Sequence, residues 1–224
     1  MNRRQMDEMY HLLRELNTSG DMVQQEAIAG IVSHLTTPKG DYTGLLRFLT
    51  YYAEKYELPD VLKFAHKNID MDNVTGIIEL GAGFGWLARG LSSEFNNKSF
   101  NLVDKCQWVG IDIVADIEST NGIRRVLDFL NPNDLIVMSE FLHCLPDPKQ
   151  VMDRFSKWPL LVVEYMPENQ RHSDSFIAQL TNFGHPEMAS IGDIFPDRQI
   201  INASLGGTHN IYYICPKEGI SDKA

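Results

Sequence analysis

Ile77-Ile78-Glu79-Leu80-Gly81-Ala82-Gly83-Phe84-Gly85-Trp86 is a short apolar run that enters a glycine-rich turn and leaves it as the start of an amphipathic helix. Glycines belong in such a turn because the backbone must bend sharply and a ligand must approach it with no Cβ in the way. A dinucleotide fingerprint would put its third glycine three places after the second, where this chain has Trp86. Here the glycines fall at every second position and Glu79 precedes them by two. That arrangement suits a ligand without a pyrophosphate but with a positively charged end, which Glu79 organises directly or through water.

Outward from this turn the chain has two textures. Before residue 70 the apolar residues recur at helical spacing, giving expected helices over 3–16, 22–35 and 42–56 and a fourth after Leu58-Pro59. Beyond Asp72, short β-rich runs alternate with helical ones. Strands are expected at 76–80, 99–104, 109–116, 135–139 and 160–164, and helices at 84–95, 122–130 and 148–158. Runs this short and apolar on both faces make a mostly parallel sheet covered by helices on both sides, a Rossmann-like α/β fold. A helix over 173–183 follows, then runs at 199–205 and 210–215 around Gly206-Gly207, which read as an antiparallel hairpin at the sheet edge. The expected organisation is a helical cap over 1–70, a ligand-binding domain over 71–217 and a polar tail over 218–224.

Composition narrows the function. A chain of 224 residues, 43% hydrophobic, buries one good core with some chain to spare. A formal net charge of -10 supplies no excess of cations for a phosphate backbone, so nucleic acid is disfavoured as a partner. Cys106, Cys144 and Cys215 are isolated and form no CxxC pair, which indicates neither a disulfide framework nor a zinc site and fits a cytoplasmic location. No run is long and apolar enough to suggest a signal peptide or a membrane anchor.

With these features the chain resembles the class I methyltransferases over roughly residues 74–217. The resemblance implies S-adenosylmethionine as cofactor, with S-adenosylhomocysteine as product. The turn from Glu79 through Gly81, Ala82, Gly83 and Gly85 would hold its amino-acid end. In that family an acid at the end of the second strand grips the ribose hydroxyls, and Asp104 stands there. An Asp followed by an apolar residue near the third strand meets the adenine; Asp116 with Ile117 is preferred here, Asp112 being held in reserve. Ser139 and Glu140, at the end of the fourth strand, complete the expected cofactor set. The chain departs from the family pattern in one place: too few residues separate Asp104 from the 109–116 run for a helical crossover. That run is therefore either part of one irregular excursion or not the third strand.

Open parallel sheets bind ligands beyond the carboxyl ends of their strands, so Ser139-Glu140-Phe141-Leu142-His143-Cys144 and Glu164-Tyr165-Met166 should face the reaction. Both stretches resemble those of small-molecule O-methyltransferases, in which a His is the general base and a Glu after the next strand orients it. On that likeness His143 is the base and Glu164 its partner. Trp86, Glu140, His143, Tyr165 and Met166 are the expected acceptor contacts. The acceptor would be the hydroxyl, or else the amine, of a small molecule, and the resemblance allows a homodimer. The Asn/Asp-Pro-Pro-Tyr/Phe signature of base-amine methylation is absent after the fourth strand. Methylation of RNA or protein, and a catalytically silent cofactor-binding partner protein, are the alternative readings. No metal is expected, although Glu140, Asp147 and Glu164 leave a divalent ion open.

Overall fold

The computed structural model describes residues 47, 50, 51, 53–107, 110–165, 190–205 and 209–217, with only the backbone of Tyr165 and His209. The expected helices at 3–16, 22–35 and 173–183, most of the one at 42–56, the Gly206-Gly207 turn and the tail lie outside these residues. Seven strands are present among the described residues: β1 (Gly76–Leu80), β2 (Ser99–Asp104), β3 (Ile113–Val114), β4 (Leu135–Ser139), β5 (Leu160–Tyr165), β6 (Ile200–Ser204) and β7 (His209–Ile214). They form one sheet in the order β3-β2-β1-β4-β5-β7-β6. The first five run parallel, while β7 pairs antiparallel with both β5 and β6. The expected mostly parallel sheet with an antiparallel terminal hairpin is the observed one.

Strand alternation sends successive side chains to opposite layers. Ile78, Leu80, Val103, Ile136, Met138, Leu160 and Val162 join one core cluster, and Ile77, Leu102, Leu135, Val137, Leu161 and Val163 join the other. Both faces are dry, which is why these strands read as unbroken apolar runs. The second layer receives helices α1 (Leu58–Asn68) and α2 (Trp86–Glu94). Val126 of helix α3 (Thr120–Leu127), Val151 and Met152 of α4 (Pro148–Asp153), and Ile191 and Ile194 of α5 (Ile191–Ile194) pack on the first. Each fully buried aliphatic side chain in these layers contributes roughly 1.5–3 kcal/mol.

Local chemistry sets the helix bounds. Pro59 in the first turn opens α1, and the π-helical turn Ala53–Glu57 runs into it without a gap. The Ser119 side chain caps α3 by accepting the Gly122 N–H, so that helix starts earlier than its apolar pattern suggests. Asp147 caps α4 in the same way through Gln150, but α4 gives way to turns after Asp153 instead of running to 158. Among the described residues no helix is long and apolar enough to cross a membrane.

The doubtful third strand exists, reduced to two residues that pair parallel with Val103 and Asp104. No helix is needed for the return because a side chain substitutes for ladder. Asp112 accepts the Leu102 N–H at 2.9 Å and donates its own N–H to the Leu102 carbonyl, pinning the connection against the edge of β2. The Ala115 N–H then bonds the Asp104 carbonyl. Asp112 is thereby committed to the sheet edge.

Candidate active site

The chain winds outward from β1 through β2 to β3, then crosses from β3 back to β4 on the other side of β1, so the sheet reverses its winding between β1 and β4. Ligands of open α/β sheets bind at such a switch point, beyond the carboxyl ends of the strands. A cavity of about 260 Å³ lies there. It is lined by Gly81 and Gly83 after β1, Asp104 at the end of β2, Asp116 and Ile117 after β3, and Glu140 after β4. These six expected site residues, from four separate strand ends, are brought together.

The turn after β1 places Gly81, Gly83 and Gly85 at φ of 66°, 51° and 68°, the left-handed region that side chains avoid. Two of the glycines have different neighbours. A Cβ on Gly85 would overlap the buried Leu102, whereas one on Gly83 would meet nothing within 4 Å. Gly83 therefore presents bare backbone to the cavity. Its N–H donates to Asp104 Oδ2 at 3.0 Å, while Asp104 Oδ1 accepts the Cys106 N–H at 2.8 Å. The carboxylate so ties the glycine turn to the loop after β2, and each oxygen retains a lone pair for a further donor.

Glu79 takes up a different post. It shares a strand face with Ile77, lies 1% exposed, and accepts the Ala88 N–H in the first turn of α2 at 2.9 Å. It braces the start of that helix and is not among the residues lining the cavity. Burial pushes its carboxyl up to about 8 against the pull of the Ala88 and Leu87 N–H groups and the Arg89 charge. Because this value exceeds the ordinary 4.5, the proton is held more tightly in the fold than in the unfolded chain. Folding stability is thus full below pH 4.5 and falls as the pH rises through 8. Glu79→Gln is expected to flatten that decline, so that its melting temperature overtakes the wild type's above pH 7. Parallel melting curves for the two proteins between pH 5 and 8 would show that Glu79 is not the group responsible.

Several other expected contacts sit elsewhere. Ala82 is buried, its N–H donating to the Val103 carbonyl, and Ser139 closes β4 opposite Val163. Trp86 is 6% exposed and packed in the core layer of α1 and α2. It is not among the residues lining the cavity. Tyr165 ends β5 in register with His209, and Met166 lies outside the described residues.

His143 and Glu164 meet as expected. Nδ1 of the imidazole lies 2.6 Å from Glu164 Oε1, and Glu164 Oε2 accepts the N–H groups of Phe141 and Leu142 at 3.0 and 2.9 Å. The carboxylate is wholly buried and the imidazole 9% exposed. Burial disfavours a charge on His143, but the attraction of Glu164, with Cys144 and Glu140 adding to it, outweighs that and carries its pKa up to about 11. Burial and the nearby Glu140 charge push Glu164 up as well, against the pull of His143. The pair holds a proton between its members. With Glu140 it brings three donor atoms within 4.8 Å of one another, a set suited to a divalent ion, although the hydrogen bond between His143 and Glu164 already engages both.

Phe141, Cys144 and Leu145 also line the cavity, and His143 is not among its lining residues. Strand ends point to this segment, but not to which of its side chains line the cavity; within it Glu140 takes a left-handed φ of 51°.

Neither a protein-family model nor a curated protein sequence matches the chain. Solved structures do. Human N-acetylserotonin methyltransferase, crystallised with SAM, superposes with a TM-score of 0.54 at 14% identity, covering 77% of this chain and 55% of that one. An O-methyltransferase family protein from Burkholderia thailandensis gives 0.58 at 10% identity over 80% and 61% of the two chains. The CurJ carbon methyltransferase gives 0.56 at 12% over 79% and 59%. The fold is that of the class I methyltransferases. This chain spans little more than half the length of those neighbours, and the same methyltransferase fold serves carbon as well as oxygen acceptors among them.

Proposed function

We propose that the chain is an S-adenosylmethionine-dependent methyltransferase that places a methyl group on the hydroxyl, or else the amine, of a small molecule. One observation carries this reading: a left-handed glycine turn at the switch point, bare at Gly83 and tied to the acid at the end of β2, opens on a cavity with Asp116 and Ile117 on the far wall. That arrangement fits a nucleoside bearing a cationic amino-acid end. Asp104 would accept from the ribose hydroxyls, Asp116 from the adenine amine, and Ile117 would pack on the ring, while Glu79 positions the turn through α2. The cofactor would supply a methyl group activated on a sulfonium, whose sulfur departs as a neutral thioether without acid assistance. The work left to the protein is alignment and, for a hydroxyl acceptor, proton removal. His143, steadied by Glu164, is the group proposed to take that proton.

A small acceptor agrees with the net charge of -10 and with Asp104, Asp116, Glu118 and Glu140 around the cavity, where Lys105 is the one basic lining residue among the described residues. A cytoplasmic enzyme, for which the free cysteines speak, and assembly as a homodimer belong to the same proposal. Calorimetry tests it. S-adenosylmethionine and S-adenosylhomocysteine should both bind the wild type, and Asp104→Asn should weaken each at least about tenfold, or 1.4 kcal/mol. Absence of heat with both compounds would dispose of the reading. Binding without turnover across a broad panel of hydroxyl and amine acceptors would favour the silent partner.

A further inference from the structure

Glycine at the first position of the turn clears a face for close approach, and the chain fills that face itself. A Cβ on Gly81 would overlap the ring of Phe141. The phenyl ring thus lies against the very backbone that a ligand in this cavity would approach. Phe141 is half-buried and lines the cavity, and so stands at the boundary of its core contacts and the open space. Its delivery to Gly81 is built into the segment after β4. Glu140 turns the chain through a left-handed φ, and Glu164 anchors the next two N–H groups. The carboxylate that fixes the backbone of Phe141 is the one bonded to His143, so the ring and the imidazole share a support. Along this segment Glu140, Phe141, Cys144 and Leu145 line the cavity.

We propose that Phe141 is a gate on the cofactor cavity: its ring covers Gly81 and must swing off that face before the amino-acid end of the cofactor can dock. The inference rests on the reading of this cavity as the cofactor site. If only the ring-out form admits ligand, the apparent association rate scales with the population of that form, and shortening the side chain raises it. A ring that merely packs would have the opposite signature, because its loss would remove contacts from the bound state and speed dissociation.

The experiment is stopped-flow binding of S-adenosylhomocysteine, supported by calorimetry, on the wild type and on Phe141→Leu, Phe141→Ala and Phe141→Trp. The association rate should rise about threefold for the leucine and about tenfold for the alanine, and fall about tenfold for the tryptophan. Leucine keeps most of the packing volume, so the trend remains readable if the alanine variant folds poorly; melting curves run beside the kinetics register packing loss separately. An association rate unchanged or slower in the leucine and alanine variants, with ligand bound by the wild type, overturns the gate and leaves the cofactor reading intact. A wild type that binds nothing overturns both.

Discussion

Replacing His143 with alanine is expected to lower methyl transfer to a hydroxyl acceptor by roughly 10²- to 10⁴-fold, the usual worth of a positioned general base. The sharper expectation concerns pH. With its pKa carried up to about 11, His143 is protonated at neutral pH, and only the small neutral fraction can accept a proton. That fraction grows tenfold with each pH unit below 11, so kcat/KM of the wild type should climb about tenfold per unit between pH 7 and 10. Glu164→Gln removes the charge that stabilises the imidazolium, leaving burial to pull the His143 pKa back down, so its pH profile should reach a plateau at a lower pH. The cost in stability is about 1–3 kcal/mol, because the amide keeps a single acceptor oxygen where the carboxylate uses one oxygen for the imidazole and the other for two backbone N–H groups. A wild-type profile already flat at pH 7, or an alanine variant retaining more than about a tenth of the activity, would remove His143 from the role of base.

That pair shows what the sequence discloses and where it stops. Glu164 and His143 are legible because Glu164 lies near the end of β5 and His143 just beyond the end of β4, and these strand ends are legible because the strands are apolar runs. β3 is not, since two paired residues leave no periodicity and its anchor is a side chain, Asp112, acting across the edge. The position of Glu79 just before the glycines suggests that it faces the ligand. Yet the two-residue alternation that puts it beside Ile77 already sends it to the layer of α2, where Ala88 engages it. Trp86 depended on contacts with α1, distant in sequence, and no local pattern reports those. Phe141 carries no signal in the sequence for a related reason: Glu140 just before it takes a left-handed backbone conformation, and the residue type gives no warning of it.

Gly85→Ala is expected to destabilise the fold by about 3 kcal/mol and Gly83→Ala by only about 1 kcal/mol, with the ligand affinities ranked the other way. Both substitutions force a side chain into the left-handed region, a penalty of roughly 1–2 kcal/mol that they share. They differ in what the new methyl meets. At Gly85, which opens α2, it would drive into Leu102, a side chain with no exposed surface in the middle of β2, so that strand and helix must part. At Gly83 there is nothing within 4 Å, and the methyl enters the space proposed for the cofactor while the N–H bonded to Asp104 stays in place. Urea titration should therefore separate the variants by stability. Calorimetry with S-adenosylhomocysteine should show Gly83→Ala binding at least about tenfold more weakly than a wild type of nearly equal stability. Equal losses of stability, or a Gly83→Ala protein that binds as the wild type does, would mean that the turn is glycine-rich for strand and helix packing alone. The contrast is informative because a turn shaped only by packing has no reason to leave one of its left-handed glycines facing empty space.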